Sequence, residues 1–147
     1  MFRRDRRPTA VALLVVTLAA YSLVWAEELI QRGTYEVTVQ TSMPNLEENL
    51  RYTTTRETRC FAQQDLPQAF PILDHPALAG CELALREREQ GALVYALVCE
   101  SGQDTTGEAV WRLAPSQLRG TLRVRLGGKN TTVHQRVTAR LVNSSCR

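Results

Sequence analysis

Apolar and polar side chains alternate through most of the chain, which predicts β-strands rather than helices. Tyr35, Val37 and Val39, for example, are separated by single polar residues, as expected for a strand with one buried face. The predicted strands cover residues 35–39, 51–60, 81–87, 93–99, 108–113, 118–126 and 131–142. The second of them is rich in threonine and alternates only weakly, which is typical of an edge strand or of a strand with two polar faces.

The clearest predicted hairpin joins strands 81–87 and 93–99. A turn near Gln90 places Cys81 opposite Cys99 and collects the large apolar side chains on one face. The same register pairs Leu83 with Leu97, Leu85 with Tyr95, and Glu87 with Leu93. A shift of one residue would put the two cysteines on opposite faces of the hairpin. The register therefore predicts a Cys81–Cys99 disulfide.

The chain contains four cysteines, and the remaining two are Cys60 and Cys146. An even number of cysteines in a small exported domain favours disulfides, so we also expect a Cys60–Cys146 bond. No pair has the short spacing of a zinc site and the chain has only two histidines, so no metal site is expected.

Short strands joined mostly by tight turns predict an all-β fold. We expect an antiparallel sheet of about seven strands, curled into a sandwich or a small barrel and stapled by two disulfides. The exception is the proline-containing segment 61–80, which is expected to be a loop with one helical turn around Gln63–Gln68.

Residues 1–26 have the anatomy of a secretory signal peptide. An arginine-rich start precedes the uncharged run Thr9–Trp25, and Ala26 supplies the small residue before a cleavage site. We therefore expect residues 27–147 to be a single exported domain, periplasmic or secreted. Because the apolar run is at the short end of what spans a bilayer, an uncleaved membrane anchor is the alternative.

Several motifs occur in an order that resembles one protein family. They are the leader, Gly33-Thr-Tyr35-Glu-Val37, Met43-Pro44, Cys60 before Asp65-Leu66, then Cys81, Cys99 and Cys146. This order resembles the bacterial family called domain of unknown function 3617, small exported proteins with four spaced cysteines. The resemblance covers nearly all of residues 31–147. It implies a periplasmic or secreted β protein and supplies no catalytic residues.

Charge is distributed unevenly along the chain. The formal net charge of +3 equals that of residues 1–26 alone, which removes the main support for nucleic-acid binding. Residues 27–108 carry fourteen acidic and six basic side chains, whereas residues 109–147 carry eight basic side chains and no acidic one. The C-terminal strands are therefore strongly basic.

A hairpin turn at Gly127–Asn130 places Arg123 opposite His134 and Thr121 opposite Arg136. The solvent face of that hairpin is then expected to carry Arg123, Arg125, Arg136 and Arg140. One interpretation is an anion-binding face for lipid headgroups, lipopolysaccharide or an acidic protein. The others are that these arginines balance acidic strands such as the one bearing Glu36, or that they keep the strands soluble and protect an edge.

The sequence favours a non-catalytic binding or interaction module, stabilised by disulfides, over an enzyme. Paired cysteines leave no thiol nucleophile, and no nucleophile elbow or phosphate-binding loop occurs. No cofactor is expected, and the expected partner is an anionic envelope component or a protein. One alternative is a small β-barrel carrier of an apolar or lipid-like ligand, and another is a cell-envelope enzyme of unknown reaction. The carrier's interior would be lined by Tyr35, Leu83, Leu85, Tyr95, Trp111 and Val124.

Overall fold

The β-strands of the computed structural model all belong to one antiparallel sheet. The structure describes residues 29–44, 46, 52–100, 104–128 and 131–146. The predicted signal peptide, residues 1–26, lies outside them. Within the described part of the chain, no helix has the length and apolar character needed to cross a bilayer.

The sheet has seven strands, as predicted. They are β1 (Gly33–Ser42), β2 (Tyr52–Phe61), β3 (Cys81–Glu89), β4 (Ala92–Cys99), β5 (Thr106–Ala114), β6 (Gln117–Arg125) and β7 (Thr132–Asn143). Their order is β2-β1-β7-β6-β5-β4-β3. The threonine-rich strand β2 is an edge, which is one of its two predicted alternatives, and β3 is the other edge. The two edge strands do not pair with each other, so the sheet is not closed into a barrel.

The β3–β4 hairpin has the predicted register over most of its length. Cys81 faces Cys99, and Leu85 faces Tyr95. The predicted pairing of Glu87 with Leu93 is wrong, because the register shifts between Leu85 and Glu87. An extra residue on one strand of a pair produces such a bulge. Glu87 consequently lies opposite Val94.

Both predicted disulfides are present. Cys81–Cys99 ties β3 to β4 and spans 18 residues of sequence. Cys60–Cys146 joins the end of β2 to the end of the chain and spans 86 residues. The longer bond links two parts of the chain that are far apart in sequence.

Residues 61–80, here called the inner segment, cover one face of the sheet. They form three short 3₁₀ helices, Gln63–Gln68, Pro71–Asp74 and Pro76–Leu78, the first of which is the predicted helical turn. Leu66 and Phe70 belong to the same buried cluster as the inward side chains of the strands. We call the covered face of the sheet the inner face and the opposite one the outer face.

The inner segment packs around Trp111 on β5. Its side chain is fully buried, and its Nε1–H donates to the carbonyl oxygen of Leu66 at 3.1 Å. The ring centroid of Phe70 lies 5.3 Å from that of the indole. Gly120 on β6 makes room for the ring, since a Cβ at this position would lie 2.8 Å from three indole carbons.

Gln135 is a buried polar side chain that ties the inner segment to the sheet. Its Oε1 accepts from the backbone N–H of Ile72 at 3.2 Å. Its Nε2 donates to Thr41 Oγ1 on β1 at 2.8 Å. These two bonds satisfy both ends of an amide that is 6% exposed.

Five of the six side chains suggested as a carrier interior, namely all except Leu85, belong to this buried cluster. The sixth expectation is wrong, because Leu85 is 48% exposed. It lies on the edge strand β3 beside the bulge, where the inner segment does not cover it.

Removing the long-range disulfide should destabilise the protein more than removing the hairpin disulfide. In the chain-entropy description, closing a loop of 18 residues stabilises by about 3 kcal/mol and closing one of 86 by about 4–5 kcal/mol. The double variant Cys60→Ala/Cys146→Ala should therefore lose about 1 kcal/mol more unfolding free energy than Cys81→Ala/Cys99→Ala. Urea denaturation of both variants measures this difference, and an equal or reversed ranking would contradict the loop-length argument.

Candidate anion-binding site

The outer face of the β6–β7 hairpin presents a row of cations. Along β6, apolar side chains and Gly120 point inward while the arginines point to solvent. The register is the predicted one, with Arg123 opposite His134 and Arg136 opposite Thr121. All four predicted arginines are exposed on this outer face.

Arg140 differs from the other three arginines because it has an acidic partner. It lies opposite Glu36 on β1, and its Nη2 donates to Glu36 Oε1 at 3.2 Å. The interpretation that an arginine balances the charge of an acidic strand therefore applies to Arg140. Among the described residues, none of the ion pairs includes Arg123, Arg125 or Arg136.

Two further arginines on the outer face were not singled out from the sequence. Arg112 on β5 lies opposite Arg119 on β6, so two like charges are adjacent across the strands. Alternation within β5 gives their orientation, since Trp111 points inward and Arg112 outward. The four arginines predicted from the sequence all lie on one hairpin, whereas the basic face of the structure extends to β5.

An open groove of about 960 Å³ crosses the outer face from β2 to β5. We call it the outer groove. Its basic, acidic and amide side chains on the outer face are Arg123, Arg125, His134, Arg136, Glu108 and Gln40. The groove brings together three of the four predicted arginines and leaves Arg140, Arg112 and Arg119 outside its lining.

Hydroxyl groups make up much of the remaining lining. The side chains that carry them on the outer face are Ser42, Tyr52, Thr54, Thr106 and Thr121. Cross-strand pairing explains their positions, because Thr54 lies opposite Gln40 and Thr106 opposite Arg125. Tyr52, at the start of the edge strand, is 64% exposed.

The charge of the outer groove is positive at neutral pH. Glu108 is the acidic side chain in the described lining, and its Oε2 lies 3.9 Å from Nη1 of Arg86 on β3. Glu108 lies opposite Arg123, but the ion pairs between described residues do not include that pair. The groove therefore holds three guanidinium groups against one shared carboxylate.

The guanidinium groups of the outer groove have a shape and a charge that suit contact with an anion. Each presents a planar fork of N–H donors that matches a carboxylate or a phosphate. The described residues contain no cluster of His, Cys, Asp or Glu able to hold a metal ion. All four cysteines are in disulfides, so no thiol is available as a nucleophile or a ligand.

Comparison with models of protein families gives a match over most of the chain. The model of a family described as "Protein of unknown function (DUF3617)" matches residues 30–146. No curated protein and no solved structure matches the chain.

Two arginines four residues apart on β7 should respond differently to loss of charge. Arg140→Gln removes an exposed ion pair and should lower the free energy of unfolding by up to about 1 kcal/mol. Arg136 has Arg119 and Arg123 at its diagonal positions on β6, at roughly 7–8 Å. Arg136→Gln should therefore leave the free energy of unfolding unchanged or raise it by about 0.5 kcal/mol.

Urea denaturation at low and high salt checks this prediction. The destabilisation by Arg140→Gln should shrink as salt screens the pair. A clear loss of stability in Arg136→Gln would show that Arg136 has a stabilising partner in the folded protein.

Proposed function

The chain belongs to the DUF3617 family, and from that premise we propose that it is an exported, non-catalytic module that binds an anionic ligand in the outer groove. The proposal rests on the lack of ion pairs between the groove arginines and acidic side chains of the described residues. Arg123, Arg125 and Arg136 line one groove, yet none belongs to an ion pair between described residues.

Clustered guanidinium groups repel one another, and an anion bound between them removes that repulsion. At about 8 Å in water, two unit charges interact with roughly 0.5 kcal/mol, so each repulsion is modest. A ligand with several negative charges would gain from several such interactions together. The binding energy expected from exposed charges therefore increases with the charge of the ligand.

The strands hold these arginine backbones in place before a ligand arrives. Arg123 and Arg136 extend from central strands, each paired on both sides. Inward neighbours of both residues are buried, so the backbone below the groove is part of the core. A site on paired strands loses less conformational entropy on binding than one on a loop.

Export to an oxidising compartment is the second part of the proposal. Two disulfides support it, because such bonds persist in periplasmic or secreted proteins and are rare in the cytosol. The leader sequence supports it independently.

Mass spectrometry of the protein from its native host should find an N-terminus at Glu27 in the periplasmic or secreted fraction. An intact N-terminus in the membrane fraction would show instead that the leader is an uncleaved membrane anchor.

Binding of a simple polyanion tests the groove. Polyglutamate should bind the wild-type protein at low salt, and the affinity should fall at least tenfold as salt approaches roughly 0.5 M, because exposed charges are screened. The double variant Arg123→Gln/Arg136→Gln should weaken binding at low salt by about tenfold or more. Fluorescence anisotropy of a labelled polyglutamate measures both effects.

The matched control is the double variant Arg112→Gln/Arg119→Gln. It removes the same charge from the same face but outside the groove lining, so it should weaken binding much less. Glu108→Gln should strengthen binding, since it removes the carboxylate of the described lining. Equal losses in the two double variants would assign binding to net charge alone. If the wild type bound neither polyglutamate nor another polyanion, such as polygalacturonate, at low salt, the proposal would be refuted.

A further inference from the structure

Resting on the proposed function, we infer that the ligand of the outer groove is an acidic carbohydrate, an oligosaccharide that carries carboxylate, phosphate or sulfate groups. The inference comes from what lies between the arginines. Guanidinium groups alone would be enough to bind an anion. The groove also contains hydroxyl and amide groups, which both donate and accept hydrogen bonds.

Hydroxyl side chains and an arginine lie in the same row across the strands. One row across the sheet runs Thr54, Gln40, Arg136, Thr121. An extended ligand lying along this row meets a hydroxyl, an amide, a guanidinium and another hydroxyl in turn. Hydroxyls and amides both donate and accept, which suits a ligand with many hydroxyl groups of its own.

The size and polarity of the groove disfavour two other anionic ligands. A free phosphate ion is far smaller than an open groove of about 960 Å³. An acyl chain would need an apolar lining, yet the apolar side chain that the groove offers on the outer face is Val110, with the buried Leu122 beneath. A polar, extended ligand fits this lining better than either.

Tyr52 gives the groove an aromatic wall. It begins the edge strand β2 opposite Ser42 and is 64% exposed, although large apolar surfaces are usually buried. The C–H face of a sugar ring can cover such an aromatic ring, while the Tyr52 hydroxyl remains able to hydrogen-bond. An exposed tyrosine beside arginines and hydroxyls is therefore consistent with a sugar-binding wall.

Three hexamers separate charge from carbohydrate character. Hexagalacturonate carries carboxylates and hydroxyls, hexaglutamate carries carboxylates on a peptide, and maltohexaose carries hydroxyls without charge. Calorimetric titration at one low salt concentration should give the wild type at least a tenfold higher affinity for hexagalacturonate than for either of the others. This comparison needs no variant, so it does not depend on any substitution being tolerated.

Removing hydroxyls without changing shape tests the contacts directly. Thr54→Val/Thr121→Val replaces two groove hydroxyls by methyl groups on exposed strand positions. Each lost hydrogen bond is expected to weaken binding a few-fold, so hexagalacturonate affinity should fall by about tenfold while hexaglutamate affinity stays the same. The matched control, Thr38→Val/Thr138→Val, lies on the same face outside the lining and should change neither.

Equal affinity for hexagalacturonate and hexaglutamate, unchanged in Thr54→Val/Thr121→Val, would overturn the carbohydrate inference and leave the anion site standing. Binding to phosphatidylglycerol vesicles without binding to hexagalacturonate would also overturn it, in favour of a membrane surface. Failure of every anionic probe to bind at low salt would remove the proposed function itself.

Discussion

The packing of Trp111 against the inner segment is the contact on which the rest of the structure depends. Because the indole donates to Leu66 and occupies the space that Gly120 leaves open, the loop between β2 and β3 is held on the inner face of the sheet. One face is thereby buried by the chain's own loop. No segment among the described residues covers the other face in this way, so the outward side chains of the central strands are exposed or half-buried.

This one-sided core also explains how a domain with little net charge can carry a basic groove. Of its acidic side chains, Glu82, Glu87 and Glu89 lie on β3 at the edge of the sheet. The groove arginines lie on β6 and β7, separated from β3 by at least two strands. Opposite charges therefore lie largely in different parts of the sheet. Among the described residues they meet between strands at Glu36 with Arg140 and at Arg86 with Glu108.

Local alternation and turn signals were sufficient to predict the strands, the Cys81–Cys99 disulfide and the β6–β7 register, because each depends on which face a side chain occupies. The Cys60–Cys146 disulfide was then predicted as the remaining pair. Local alternation was insufficient where the outcome depends on distant neighbours. The bulge beside Leu85 adds one residue to a single strand, and nothing in the alternation of that short segment marks it. The pairing of β1 with β7 joins the two ends of the domain, so the separation of Arg140 from the other arginines follows only from the sheet order. The outer groove likewise needs residues from β1, β2 and β5 that no single hairpin contains.

We propose that an anionic ligand binds in the outer groove because of where its arginines lie, and not because of the basic charge of the C-terminal strands in general. Backbone amide chemical shifts during titration with hexagalacturonate measure this directly. We expect the largest shifts at residues 121–125 and 134–136, with little change at Arg112 and Arg119. Shifts spread over all the exposed arginines, or no shifts at low salt, would contradict it.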